Sequence, residues 1–219
     1  MNPFQGVPKG LCRRVGGGVE GRLLAARIQG KPGTRMAELG CGCGEISIRV
    51  ALSNPGVTVD ALEVQTELCD QARQLIDDHG VNTQVRVIPG DLRFLPACMP
   101  AGHYARVFCN PPFFSPRSGR LPPEAGRAAA RFELLGGMED FIQAGAGLLQ
   151  PGGDFDLIHR PERLPEILNG CVTHGLQPIR LIPVQARPES AAILVLINAR
   201  KENGGQSLIL APPIVLPNA

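Results

Sequence analysis

Asn110 precedes two prolines and a phenylalanine, and Asn110-Pro111-Pro112-Phe113 is the stretch of the chain with the most chemistry to offer. The Asn110 side-chain oxygen and the Pro111 carbonyl are two acceptors, and each can take one hydrogen of a primary amine. An aryl amine such as adenine N6 is a poor nucleophile because its lone pair is delocalised into the ring. Holding both hydrogens favours a pyramidal nitrogen and turns the lone pair toward an electrophile, so the site contributes alignment and electrostatics. Consecutive prolines fix the backbone and bring no N–H to compete for that carbonyl. Phe113 offers a flat face on which a planar group can stack. No strong base is required, since the nitrogen becomes cationic on reaction and then releases a proton to water.

Upstream, Ala37-Glu38-Leu39-Gly40-Cys41-Gly42-Cys43-Gly44 places three glycines at alternate positions between a strand-like and a helix-like segment. Such a loop turns sharply, lets a ligand approach the backbone without Cβ clashes, and lies beside the positive end of the next helix. A dinucleotide fingerprint would need glycine at position 45, where Glu45 stands, so a nicotinamide cofactor is disfavoured. Cys41 and Cys43 supply only two of the four ligands of a zinc site, with no second pair nearby, and read as small loop residues; no metal is expected. Glu63 ends the next strand-like run about 20 residues beyond the glycines, where a carboxylate accepts both hydroxyl hydrogens of a ribose.

These residues need a frame that brings them to one edge. Strands are expected at about 34–39, 57–63, 84–89, 104–109 and 153–159, and helices near 44–53, 65–79, 134–149 and 162–174, an alternation of five strands with four helices. That alternation is the pattern of a parallel sheet with helices on both faces. Two further β-rich runs, Pro178 to Ala186 and Ser190 to Ala199, are joined by three residues, too few for a crossover helix, and should form an antiparallel hairpin at the sheet edge. Residues 1–18, rich in Gly, Pro and Arg, read as a mobile arm, followed by a short helix from Val19 to Ile28, and residues 19–219 as one domain. An apolar tail, Leu208 to Leu216, is interrupted by Pro212-Pro213.

Taken together, the E-x-G-x-G-x-G loop, the N-P-P-[FY] tetrapeptide and this order of elements resemble the S-adenosylmethionine-dependent methyltransferases. The resemblance implies a doubly wound α/β fold, Rossmann-like, whose mostly parallel seven-stranded sheet ends in a C-terminal antiparallel hairpin. It also implies S-adenosyl-L-methionine as cofactor. Gly40, Cys41, Gly42 and Gly44 would then wrap its methionyl part, with Glu38 near the amino group. Glu63 would clamp the ribose, Asp91 would accept from the adenine amine, and the Leu92 amide would donate to the ring. Asn110, Pro111, Pro112 and Phe113 would form the catalytic tetrapeptide, with Asn110 also beside the cofactor.

N-P-P-[FY] is shared by adenine-N6 enzymes of DNA and RNA, guanine-N2 rRNA enzymes and the glutamine methyltransferases of release factors. The last usually carry a helical domain before the glycine loop, where this chain has about 33 residues, and DNA enzymes usually add a target-recognition domain. Ala130-Arg131-Phe132-Glu133, Leu148 to Phe155, His159-Arg160-Pro161-Glu162-Arg163-Leu164 and Pro212-Pro213-Ile214-Val215 resemble the bacterial tRNA(Val) adenine-N6 methyltransferase family over roughly residues 34–216. Departures are Phe132 for a usual His, Phe113 for a common Tyr, and Glu20 for Asp with the aromatic missing before Leu23-Leu24-Ala25. The implied reaction is N-methylation of adenine in tRNA or other RNA. Protein glutamine, a small molecule, or a non-catalytic scaffold are the alternatives, and the intact Asn110 and glycine loop oppose the last.

A formal charge of +2 does not by itself advertise nucleic-acid binding. The case rests on a local run, Ser115 to Arg131, with Arg117, Arg120, Arg127 and Arg131 against a single acid, Glu124. Directly after the tetrapeptide, it is suited to contact RNA phosphates. No apolar stretch is long enough to span a bilayer and no signal-peptide pattern opens the chain, so a cytoplasmic protein is expected. Seven cysteines without C-x-x-C spacing argue against a disulfide framework.

Overall fold

The computed structural model describes residues 18–112, 136–201 and 207–217. In chain order it holds α1 (Val19–Ala25), β1 (Arg35–Leu39), α2 (Glu45–Ser53), β2 (Thr58–Glu63), α3 (Thr66–Asp78), β3 (Val85–Pro89) and β4 (Tyr104–Cys109). Then follow α4 (Met138–Leu148), β5 (Leu149–His159), a 3-10 turn (Pro161–Arg163), α5 (Leu164–Thr173), β6 (Leu176–Gln185), β7 (Ala192–Lys201), β8 (Ile209–Leu210) and β9 (Ile214–Val215).

The strands form one sheet in the order β3-β2-β1-β4-β5-β7-β6-β8, with β9 also paired to β6. Pairing is parallel from β3 through β5 and antiparallel where β7 meets β5 and β6. In β1 all but the first residue are buried, and in β2 likewise, as expected of strands covered on both faces. Helices α1, α2 and α3 pack one face around Leu24, Ile48, Ile76 and Phe108. The other face is closed by α4 and α5 through Phe141, Ile142, Ile167 and Cys171. In α3 the buried residues Cys69, Ala72 and Ile76 recur at helical spacing, leaving its polar face to solvent.

The expected mostly parallel sheet with a C-terminal hairpin is present. Its seven long strands are joined by β8 and β9, short pieces of the apolar tail that run parallel to β6, so the hairpin is not the outermost part of the sheet. Pro212-Pro213 separates the two, because proline has no N–H to give to a ladder. Residues 90–103, between β3 and β4, where no helix was expected, are turns and loop. The Gly/Pro content of Gly90, Pro96, Pro100 and Gly102 punctuates this segment too densely for a helix. β5 begins at Leu149, four residues earlier than expected, since Leu149 pairs with Tyr104 before a register shift. Of the arm, residues 1–17 lie outside the described residues.

Candidate active site

Register brings the sequence-selected residues together. Leu39 of β1 pairs with Leu62 of β2 on one side and with Cys109 of β4 on the other. Each of Gly40, Glu63 and Asn110 follows its paired residue directly, so the three emerge side by side at the C-terminal edge of the sheet. Glu63 in turn pairs with Pro89, which sets Gly90-Asp91-Leu92 next in line. Ligands bind open α/β sheets outside this edge.

The glycine loop is built from backbone that side chains disfavour. Gly40, Gly42 and Gly44 all have positive φ, at 67°, 56° and 81°. A Cβ at Gly40 would come within 3.2 Å of the Phe141 ring, whereas at Gly42 it would meet nothing within 4 Å. The outer turn of the loop is thus an open cradle, and its floor is packed.

Two carboxylates hold the loop in place. Glu63 Oε2 accepts the Gly42 N–H at 2.9 Å, and Oε1 accepts the N–H groups of Val64 and Gln65 at 3.0 and 2.9 Å. Glu38 is buried, and its Oε2 accepts both the N–H (3.0 Å) and the hydroxyl of Ser47. Gly44 caps α2 without a side chain, so Glu38 satisfies an orphan N–H in the helix's first turn. Burial pushes the Glu38 carboxyl up to about 8, against the opposing effect of the Ser47 hydrogen bonds. The Cys41 and Cys43 thiols are also raised, chiefly by burial, and neither is a reactive thiolate.

Asp91 is forked by its neighbour: the Arg93 guanidinium donates to both carboxylate oxygens, and this pairing holds the Asp91 pKa down. Leu92 is buried in the core.

Asn110 differs from all of these. Its Oδ1 is sealed from solvent and, among the described residues, accepts no hydrogen bond. Pro111 beside it is buried. His159, fully buried at the end of β5, brings its Nε2 within 3.4 Å of the Pro112 carbonyl, and burial lowers its pKa, so the neutral ring meets that carbonyl as an N–H donor. The sequence marked His159 only as the first residue of the His159–Leu164 run; its position against the tetrapeptide comes from the pairing of β4 with β5. Ser47 and Arg93 were also missed. The signal for Ser47 is its place in the first turn of the helix after the loop, and Arg93 offered none beyond standing two residues from Asp91. Phe113, Arg117, Arg120, Arg127 and Arg131 lie outside the described residues. Among the described residues no group of three or more His, Cys, Asp or Glu is placed to hold a metal ion, and no helix is long and apolar enough to cross a membrane.

The pattern that defines the methyltransferase small domain family matches residues 19–171, well over half of the chain. This chain belongs to that family. The enzyme is 25% identical over 181 residues to a tRNA1(Val) (adenine(37)-N6)-methyltransferase of Tolumonas auensis, covering 82% of this chain and 74% of the relative. It is 30% identical over 139 residues to a release factor glutamine methyltransferase of Chlorobaculum tepidum, covering 60% of this chain and 47% of that one. Among solved structures, a predicted O-methyltransferase of Agrobacterium tumefaciens superposes with a TM-score of 0.73 at 22% identity, covering 90% and 86% of the two chains. That likeness shows the shared fold.

The enzyme is therefore an S-adenosylmethionine-dependent methyltransferase. The site fits the cofactor on its own terms: the open face of Gly42 leaves room for a ligand at the sheet edge, and the orphaned Asn110 oxygen stands in register beside it.

Proposed function

We propose that the enzyme methylates an exocyclic amine, and that the amine is adenine N6 of tRNA. The observation that carries this reading is the buried Asn110 Oδ1, without a donor among the described residues, at the strand end next to the glycine loop. A buried acceptor left unpaired costs on the order of 1–3 kcal/mol, and an arriving amine hydrogen removes that cost. The Pro111 carbonyl takes the second hydrogen, and the donated hydrogen bond of His159 to the Pro112 carbonyl holds the turn.

S-adenosylmethionine supplies an electrophilic methyl group when bound. Gly40, Cys41, Gly42 and Gly44 would hold its methionyl part, with Glu38 behind the loop, while Glu63 would exchange its Gly42 N–H for ribose hydroxyls. Asp91 and the Leu92 amide would bracket the adenine. Asn110 and Pro111 orient the substrate nitrogen, and Phe113 supplies the stacking face. After transfer the nitrogen carries the positive charge and gives its proton to water. Arg117, Arg120, Arg127 and Arg131 would contact RNA phosphates, and a tRNA substrate places the enzyme in the cytoplasm.

The names of relatives such as the Tolumonas auensis enzyme support tRNA, while the release-factor relative supports protein glutamine as the second reading. The test is incubation with labelled S-adenosylmethionine and separated tRNA, rRNA and protein fractions, followed by mass spectrometry of nucleosides and amino acids. N6-methyladenosine in tRNA is the expected product. Methylglutamine in the protein fraction would replace this reading with the second.

A further inference from the structure

A cavity of about 190 Å3 opens on the α1 face of the sheet, between α1 and strands β4 to β7. Arg27, Arg106, Arg180 and Arg200 line it together with Asp154 and Asp156. Arg106 is the third residue of β4 and Asn110 follows the end of that strand, four residues on, so the cavity lies back along β4 and the middle of β5, away from the glycine loop. Its volume far exceeds the ~10–15 Å3 that one water needs and falls below the ~300 Å3 at which larger organic ligands are held. A small polar group fits it; the cofactor does not.

The lining divides into a fixed inner part and an available rim. Asp154 is saturated by Arg106 (2.9 Å) and Arg200 (2.8 Å), so these three form a preorganised, overall positive unit. Arg27, two residues past the end of α1, and Arg180 of β6 flank the cavity, and among the described residues neither makes an ion pair. Four guanidinium groups against two carboxylates leave the cavity net positive. Guanidinium forks match the oxygens of phosphate in pairs.

Asp156 adds a second requirement. Its Oδ1 accepts from Asn198 at 3.0 Å, but its Oδ2, sealed from solvent, accepts no hydrogen bond among the described residues and there has only the ion-pair contact with Arg106 at 3.4 Å. That oxygen lacks a donor. We infer that the cavity is a binding site for a phosphoryl group that also carries a hydroxyl, its anionic oxygens held by Arg27 and Arg180 and its hydroxyl donated to Asp156. Hydrogen phosphate meets both requirements, as does a ribose bearing phosphate, free or within RNA.

The full-length enzyme is titrated calorimetrically with inorganic phosphate, sulfate, ribose 5-phosphate and a short single-stranded RNA, beside the double variant R27A/R180A and a charge-matched control, R73A/R187A. Phosphate or ribose 5-phosphate should bind the wild type and the control, and R27A/R180A should weaken that binding by about tenfold or more. Sulfate, which has the charge but no hydroxyl at neutral pH, should bind about tenfold more weakly than phosphate. Loss of RNA affinity in R27A/R180A beyond that in the control identifies an RNA phosphate as the occupant; loss with the free compounds alone identifies a small phosphate ester. Sulfate binding as tightly as phosphate overturns the inference, as does equal binding of every probe to wild type and R27A/R180A. Unchanged S-adenosylmethionine affinity and melting temperature in the variants show that the fold and cofactor site are intact.

Discussion

Asn110 and Glu63 stand at equivalent strand ends in opposite states: the Glu63 carboxylate is filled with backbone donors, and the Asn110 oxygen has no donor among the described residues. If Asn110 is reserved for the substrate amine, Asn110→Ala should leave S-adenosylmethionine affinity nearly unchanged. It should slow single-turnover transfer by about 100-fold or more, roughly 3 kcal/mol of transition-state stabilisation. Wild-type rates in the variant would remove the mechanism. If Glu63 clamps the ribose as proposed, Glu63→Ala should act on binding, weakening the cofactor by about 1–3 kcal/mol in calorimetry through loss of charged hydrogen bonds. An unchanged affinity would take Glu63 out of the site. Both residues were legible in the sequence because each directly follows a strand, where position along the chain fixes position at the sheet edge. Asp91 was singled out by the resemblance, but its fork with Arg93 was not legible, since two side chains choose each other only once the turn has formed.

The elements positioning these residues depend on contacts that cross from strand to helix. Glu38, at the end of β1, supplies α2 with the cap that Gly44 cannot, and it does so buried. The folded protein holds the Glu38 proton up to about pH 8, whereas the unfolded chain releases it near 4.5. Between those values the folded state binds more protons. The resulting contribution is therefore full below the unfolded value and is lost as pH rises through the folded one. Glu38→Gln keeps an acceptor for Ser47 and removes the titration, so melting temperature should fall less with rising pH in the variant than in wild type; parallel curves would refute this. On the other face, a Cβ at Gly145 of α4 would sit 2.4 Å from the Phe155 ring on β5. Gly145→Ala should destabilise by about 1–3 kcal/mol in denaturant titration despite alanine's better helix propensity, and a stabilised variant would show that the ring yields freely. Strand and helix periods made most elements readable. The start of β5 at Leu149 and the docking of β8 and β9 on β6 were not, because pairing partners decide them and local pattern does not.

At the scale of the molecule, strand order gathers the cofactor loop and the tetrapeptide along β3, β2, β1 and β4, and the sequence of alternating elements made that gathering legible before any coordinates. It carried no sign of the cavity across β4 to β7, because Arg27, Arg106, Arg180 and Arg200 are scattered along the chain and meet only through the antiparallel closure of the sheet. The reverse holds for Arg117, Arg120 and Arg127, which are close in sequence and immediately follow the catalytic turn. A net charge of +2 gives the whole protein little long-range pull on a polyanion, so RNA affinity has to come from such local groups. Each arginine that neutralises a phosphate releases condensed counterions, and for single strands the slope of log K against log salt changes by about 0.7 per contact. Replacing Arg117, Arg120 and Arg127 together by alanine should therefore weaken tRNA binding and make its salt slope shallower by about 2, while S-adenosylmethionine binding, proposed to rest on the glycine loop and Glu63, should stay unchanged. The measurement is a salt series of binding curves for wild type and the triple variant on the same tRNA. A slope identical in the two would show that these arginines face solvent and that the substrate is gripped elsewhere on the molecule.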